Sequence, residues 1–447
     1  MKRVLMASVF ALAAVVAKSQ SSPADTLRMN LQQCIEYALE HQNDMKNVRL
    51  DEESSRRQSQ EYTGIALPQI YGTFDFADYL KLPTSLIPAE FFGGEPGTYV
   101  PLQFGTQYNG TAQVVLSQLI VDGRYFLGLK ATRALADLAA KNVQATQIQL
   151  TENVMKAYLA SVISSERMEQ LKTNVASFKK TLDDTKALYK SGFVEKVDVD
   201  RLAVSYNNLI TEQEKFQKLS SLSIYLLKFQ MGMPVEQPLV LQDSIREADF
   251  ESILQNAASP DINNRIEYQM LLNTKALREM NVKRYKMGYI PTLYGTGSIS
   301  YQAQVNEFDL IPSSQWYNTA FLGFTLNVPI FDGLQKARQI QQAKLSLQKT
   351  ENDIFNFTNV MNLQVNTAKT NMQNAIASLE AQRNNLELAN EIVTISRKKF
   401  QLGAGSSLEV TDAETSLKDA QTNYLNALYD AWVARIELEK ALGTLNK

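Results

Sequence analysis

The stretch from Tyr289 to Val305, YIPTLYGTGSISYQAQV, decides the fold. Its odd positions read Leu293, Gly295, Gly297, Ile299, Tyr301, Ala303 and Val305, and its even positions Thr292, Tyr294, Thr296, Ser298, Ser300, Gln302 and Gln304. A period of two with one apolar and one polar face is a β-strand, because successive side chains leave a pleated strand on opposite sides. Residues 316–328 repeat the pattern, with Ala320, Leu322, Phe324, Leu326 and Val328 set against Thr319, Thr325 and Asn327. Between residues 288 and 330 the only charges are Glu307 and Asp309, both at the expected turn. A sheet wetted by water usually carries charges on its polar face. Here that face is Thr, Ser, Asn and Gln, and aromatics gather near the strand ends, as in outer-membrane strands. The runs also exceed the roughly 9–11 residues that a tilted strand needs to cross a bilayer. A soluble β-subdomain is the plainer alternative.

Working outward, residues 107–118 alternate again, Tyr108, Ala112, Val114 and Leu116 opposing Gln107, Asn109, Thr111, Gln113 and Ser117. A looser run carries Ile70, Phe74 and Phe76 on one face. Strands are therefore expected at about 66–80, 107–121, 290–305 and 316–330. The proline- and glycine-rich residues 82–105 form the outward loop of the first hairpin.

The rest of the chain reads as helix. No proline occurs in 102–233 or 330–447; from Arg124 to Met231 the only glycines are Gly128 and Gly192, and from Leu334 to Leu442 only Gly403 and Gly405. Both residue types break helices, so their absence permits very long ones. Each block opens on Asp-Gly, Asp122-Gly123 and Asp332-Gly333, which mark the strand-to-helix turns, and is interrupted at Gly192 or Gly403. Helices are expected at about 124–190, 196–230, 334–401 and 406–442, the longer pair running about 100 Å each. Val143, Leu150, Ala157, Leu171 and Phe178 share one heptad register, and Val154, Met168, Val175 and Leu182 its partner. Taken alone, these blocks would describe a helical bundle or a soluble coiled coil.

The chain is a duplication. Leu-Pro-Gln-Ile-Tyr-Gly-Thr around Pro68 returns as Ile-Pro-Thr-Leu-Tyr-Gly-Thr around Pro291, and the turns at Gly192 and Gly403 lie 211 residues apart. Residues 20–230 and 263–447 form two repeats of helix, β-hairpin and long helix pair, joined by residues 231–262. Four strands cannot close a membrane barrel, which needs about eight. An open sheet edge cannot sit in lipid either, because each unpaired amide there costs several kcal/mol. The subunit must therefore share its strands with other copies.

Composition narrows the function. With 45 basic and 47 acidic residues the net charge is −2, which excludes the basic surplus of a nucleic-acid binder. One cysteine and one histidine exclude a disulfide framework, Cys-based zinc clusters and His-rich metal sites. Lys2, Arg3, the apolar run Val4 to Ala17 and the small residues Ala17 and Ser19 form a secretory signal peptide over residues 1–19. Cys34 lies well beyond that cut, so no lipoprotein cysteine is expected. There is no G-x-S-x-G elbow, and Gly403-Ala404-Gly405 lacks the third glycine of a dinucleotide loop. No catalytic residue, metal or cofactor is expected, and His41 reads as a surface residue of the N-terminal helix. A barrel enzyme would have only His41 as its base, and an exported coiled-coil scaffold would lack lipid-facing strands.

Signal peptide, duplicated hairpin with long helices, Asp-Gly strand exits and the turns Tyr189-x-x-Gly192 and Phe400-x-x-Gly403 together resemble the TolC family of outer-membrane efflux proteins, over essentially the whole mature chain. The C-terminal run from Ala441 to Asn446 is similar to that family's helix end. The resemblance implies a mainly α fold with membrane β: a homotrimer whose subunits give four strands each to a twelve-stranded barrel, above a periplasmic α-helical barrel. It implies a passive exit channel for tripartite efflux or type I secretion in the outer membrane of a Gram-negative bacterium, extending into the periplasm and contacting outer-membrane lipid. Its partners would be a periplasmic adaptor (membrane fusion) protein and an inner-membrane pump of RND or ABC type. Residues 231–262 would belong to an equatorial belt.

The family's gate also maps onto residues here. The turns at Gly192 and Gly403 would form the periplasmic tip, and Glu409 and Asp412 match its pore-constricting acids. Their spacing of three puts both on one helix face, although acids at a helix start are also favoured by the dipole alone. Asp198 matches the interhelical lock, whose aromatic member would be Phe400 and whose basic member aligns with Gly405. Finally Asn352, Asn356, Asn359, Asn362 and Asn366 make a stripe, either a tunnel lining of neutral amides or an exposed polar face.

Overall fold

A computed structural model describes residues 26–255, 261–308 and 316–445. The expected signal peptide over 1–19, the turn residue Asp309 and the terminal Asn446 lie outside the described residues. The chain divides into two compact units. Each takes material from both sequence repeats, so the division cuts across the duplication.

One unit comprises residues 52–139 and 271–353. Its centre is an antiparallel four-stranded sheet of β2 (Gln69–Asp78), β5 (Tyr108–Val121), β7 (Thr292–Val305) and β8 (Trp316–Asn327), in the order β2-β5-β7-β8. The two hairpins join through β5 and β7, so the sheet unites the repeats. Cross-strand partners share a face. One row runs Ile70, Leu116, Gly297, Leu322 and another Phe74, Ala112, Tyr301, Asn318. The opposite face has Thr73, Gln113, Ser300, Thr319 and, next along, Asp75, Thr111, Gln302, Tyr317. Gln113 Nε2 donates to Ser298 Oγ across that face at 2.7 Å. The apolar side is bare, with Leu322 85% and Phe324 79% exposed. β2 and β8 are the two edges, and among the described residues neither has a further strand beside it.

The ladders are shorter than the alternation suggested. β2 begins at Gln69 because Pro68 has no amide to give, and β8 stops at Asn327, two residues before Pro329. Residues 82–105 are not merely a loop. They contain a ribbon of β3 (Thr84–Pro88) and β4 (Tyr99–Gln103), bridged by a 3-10 turn at Ala89–Phe92. In a two-stranded ribbon each strand has a free edge, so Pro88 and Pro101 are tolerated.

Helix α3 (Gly123–Lys190) leaves β5 through a turn in which Asp122 Oδ1 accepts the Arg124 amide at 2.8 Å and Oδ2 pairs with its guanidinium at 2.9 Å. Gly128 survives inside that helix because the Tyr62 ring, from helix α2 (Asn43–Gly64), occupies the place of its Cβ. The second strand-to-helix turn is built differently. Gly333 has φ +64° and Leu334 φ +67°, so helix α7 (Gln335–Gln401) starts only after a left-handed pair, with Asp332 accepting the Lys336 amide at 3.0 Å. At Gly123 the reason for glycine is space, since a Cβ would lie 3.3 Å from Sδ of Met287, the last residue of helix α6 (Ile266–Met287).

The other unit comprises described residues up to 51, 140–270 and from 354 on. It holds helix α1 (Leu31–His41), most of α3, α4 (Lys196–Met231), the short α5 (Phe250–Gln255), most of α7, and α8 (Ser407–Leu442). Strands β1 (Leu27–Met29) and β6 (Leu239–Leu241) pair in parallel. Val143, Leu150, Ala157, Leu171 and Phe178 are all buried, as are Val154, Met168 and Leu182. One core gathers Cys34, Ala38, Met45, Val154, Tyr158, Leu227 and Met231; a second gathers Phe250, Val365, Met372, Leu379, Leu428 and Leu438. Burial pushes the Cys34 thiol up to about 12, so it packs as an inert group. In residues 231–262, Asp243 ties the N-terminal segment down, accepting from Tyr158 Oη at 2.8 Å and from the Leu31 amide at 3.1 Å.

Candidate functional site

The two interhelical turns share one geometry. Gly192 has φ +82° and Gly403 φ +71°, a region that favours glycine. At the first, Gly192 N donates to Tyr189 O and Phe193 N to Leu188 O, both at 3.0 Å. At the second, Gly403 N donates to Phe400 O at 3.0 Å and Ala404 N to Lys399 O at 2.9 Å. These paired bonds satisfy the last carbonyls of each helix. The helices that follow are capped by their own side chains. Glu195 and Asp198 form a reciprocal box at the start of α4, and Ser406 Oγ accepts the Glu409 amide at 3.2 Å at the start of α8.

Capping fixes where the site residues point. Glu409 occupies the first turn of α8, Asp412 lies three residues on, and both are exposed. Asp198 is half-buried, and its Oδ1 accepts a hydrogen bond from Ser407 Oγ, which joins the first turn of α4 to the first turn of α8. Asp198 thus has a polar partner, a hydroxyl two residues beyond the expected basic position. Gly405 is closely surrounded, so any side chain there would have to push its neighbours aside. A Cβ there would lie 3.1 Å from Lys399 Cβ, 3.2 Å from the Phe400 amide and 3.3 Å from Glu409 Oε2. Phe400 is buried beneath the turn and lines a cavity of about 110 Å³ with Ser177, Thr181, Leu188, Arg397 and Val410. Asp122, Gly123, Asp332 and Gly333 belong to the other unit and are no part of this site.

Sequence reasoning missed a polar cluster close to that cavity. Glu414 on α8 is buried, and its Oε1 accepts from Arg397 Nε of α7 at 2.8 Å and from Thr181 Oγ1 of α3 at 3.3 Å. Arg397 Nη2 also donates to Ser177 Oγ of α3, so three helices meet on one ion pair. Glu414 Oε2 is buried without a hydrogen-bond partner. Burial pushes the Glu414 carboxyl above its ordinary value, and Arg397 with the Thr181 hydroxyl offsets this only in part. The signal was present. Arg397 stands four residues after Val393 and three before Phe400, and Glu414 four after Val410, so both charges occupy core positions of their helices. Farther along, Lys418 pairs with Glu212 at 3.1 Å, linking α8 to α4, and Asn174 donates to Gln421 at 2.9 Å, linking α3 to α8.

His41 stacks on Tyr37 at 4.1 Å with Nδ1 3.1 Å from the Tyr37 carbonyl. Among the described residues no group of three or more His, Cys, Asp and Glu is placed to hold a metal ion, and no helix is long and apolar enough to cross a membrane. The five asparagines of the stripe, Asn352 to Asn366 on α7, are all exposed. The buried residues Met361, Val365, Ala368 and Met372 occupy the opposite side of that helix.

A family model described as "Outer membrane efflux protein" matches residues 275–444. The chain is 22% identical over 346 residues to "Outer membrane protein TolC" of Vibrio cholerae, covering 75% of this chain and 77% of the relative. It is 20% identical over 343 residues to "Alkaline protease secretion protein AprF" of Pseudomonas aeruginosa, covering 74% and 69%. Among solved structures, the outer membrane protein VceC of Vibrio cholerae superimposes with a TM-score of 0.71 at 16% identity, covering 92% of this chain and 96% of that one.

Proposed function

Because this chain belongs to the TolC family of outer-membrane efflux proteins and forms an outer-membrane exit channel, we propose that three copies close one twelve-stranded barrel and pass solutes through it without doing chemistry on them. The sheet carries this reading. It has one bare apolar face for lipid, one face mainly of Thr, Ser, Gln and Tyr for water, interrupted by Val115 and Phe321, and two unpaired edges that only another copy can satisfy in a bilayer. The helical unit would extend into the periplasm, with residues 231–262 in an equatorial belt. There it would meet an adaptor protein and an RND or ABC-type pump. The secretion protein of Pseudomonas among the relatives makes type I export as admissible as drug efflux.

The gate would be the pair of capped turns. Three copies of Glu409 and Asp412 would place six carboxylates round a narrow mouth, a ring that concentrates cations. Asp198 and Ser407 would hold the second hairpin of helices against the first in the resting state. The test is the mass of the protein extracted from outer membranes, by light scattering corrected for bound detergent, followed by bilayer recording. A mass near three subunits and a defined conductance are expected; a monomer recovered from the soluble periplasm would overturn the shared barrel. In the same recordings Glu409→Ala with Asp412→Ala should weaken cation selectivity and divalent-cation block. Unchanged selectivity would remove the acids from the mouth.

A further inference from the structure

The four strands of the sheet carry two charged residues between them, Asp75 and Asp78, and no lysine, arginine or histidine. The two aspartates differ in direction. Asp78 shares a face with Tyr108 and Val305 on the apolar side, at the last rung of its strand, where Gln107 Nε2 reaches its carboxylate at 3.2 Å. Asp75 lies in the row Asp75, Thr111, Gln302, Tyr317 on the polar side, flanked by the row Thr73, Gln113, Ser300, Thr319. Every neighbour in both rows is a neutral hydrogen-bonding group or a phenol. Its strand runs outward from α2, so three of its ten residues follow Asp75 before the loop. The described connections beyond add Lys81 against Glu90, Glu95 and Glu307.

On this geometry we propose that Asp75 is a selectivity determinant of the barrel itself, a second acidic ring near the outer mouth that favours cationic solutes and disfavours anions. The proposal rests on the shared trimeric barrel. There the polar face is the lining, each copy contributes one Asp75, and no basic residue of the wall cancels it. A charge fixed on a low-dielectric wall acts on everything that passes, and nothing else fixed on this stretch of wall opposes it. The ring is sparse, so it biases passage without binding the solute. For three carboxylates about 12 Å from the axis, screened at 0.1 M salt, the expected bias in cation over anion permeability is about two- to threefold, and larger at lower salt.

The experiment uses full-length channels in planar bilayers under a KCl gradient, in the Glu409→Ala, Asp412→Ala background so that the inner acids do not set the reversal potential. Asp75→Asn should lower the cation-to-anion permeability ratio about two- to threefold, and Asp75→Lys should carry it past unity towards anions, each effect shrinking as salt rises. Trimeric, conducting channels whose reversal potential is the same with Asp, Asn and Lys at position 75 would overturn the inference and leave the barrel standing. Protein that is monomeric and conducts nothing in any variant would overturn the barrel, and the ring with it.

Discussion

Among the described residues of the helical unit two carboxylates are buried, and they are satisfied differently. Glu152 on α3 accepts from Lys156 Nζ at 2.9 Å with one oxygen and from Lys440 Nζ of α8 at 2.6 Å with the other; Lys156 goes on to Glu437 and Lys440 to Gln149, each at 2.9 Å. Glu414 has one arginine, one hydroxyl and an oxygen with nothing to accept. Burial pushes both up. At Glu152 the hydrogen bonds and charges of Lys440 and Lys156 more than reverse it and hold the carboxyl below its ordinary value, whereas at Glu414 burial wins. One cluster is fully paired. The other, a few turns from the glycine loops, is held by a single cation. The same ion-pair chemistry leaves one carboxylate fully paired and the other short of partners, and the number of partners decides which way each carboxyl shifts.

The largest effect that separates them should come from Arg397→Met. It strips the cation from Glu414 and leaves a buried charge, which costs about 3–5 kcal/mol unless the carboxyl takes up a proton instead. Lys440→Met leaves Glu152 with Lys156 and should cost less. Hydrogen exchange in detergent-solubilised trimer would read this as faster opening of α8 around Glu414, with the amides round Glu152 little changed. Arg397→Met with Glu414→Met should recover most of the loss, because a well-packed apolar pair replaces an ion pair at little net cost. A double variant as damaged as the single one would mean that Arg397 matters through Ser177 alone.

Next in size is a pH dependence of opposite sign at the two clusters. The native Glu414 carboxyl keeps its proton to higher pH than an exposed one, so the packed helices bind more protons than the locally unfolded ones between the ordinary glutamate pKa of about 4.3 and its raised value. Its protection should therefore rise as pH falls through that window and be lost as pH climbs out of it, with a slope no steeper than about 1.4 kcal/mol per pH unit. Glu152, depressed, contributes stability that is complete above the ordinary value and disappears only as pH falls through its lower native one. Exchange rates corrected for their intrinsic pH dependence would show both slopes, and Glu414→Gln should flatten only the one at the tip.

What the chain reveals of itself follows from the range of the physics involved. Alternation over Thr292–Val305 and heptads through Val143, Leu150 and Ala157 are local, repeated signals tied to one face of one element, and the sheet and the buried helix stripes follow them. The ribbon of Thr84–Pro88 with Tyr99–Gln103 was hidden because Pro88 and Pro101 argue against strand wherever both edges are paired, and here they are not. Arg397 and Glu414 were readable as charges at core positions, but a search for apolar registers passes over them. Glu152 and Lys440 give no local sign at all, being 288 residues apart and brought together only by the packing of α3 on α8.

The smallest effect concerns the tie between the two tips. Ser407 is buried and gives its hydroxyl to Asp198, which also accepts the Glu195 amide at 3.3 Å. Ser407→Ala removes one neutral-to-charged bond, and because Asp198 is only half-buried, water can replace the donor; the net loss should be about 1 kcal/mol. In bilayer recordings that corresponds to roughly a fivefold rise in the ratio of open to closed time. Asp198→Ala removes the cap of α4 as well and should open the channel further. The two variants separate the roles. If Asp198→Ala opens the channel while Ser407→Ala does not, Asp198 acts by shaping the start of its own helix. If both open it, the Ser407 hydroxyl ties the two helix starts together in place of the basic side chain that Gly405 lacks.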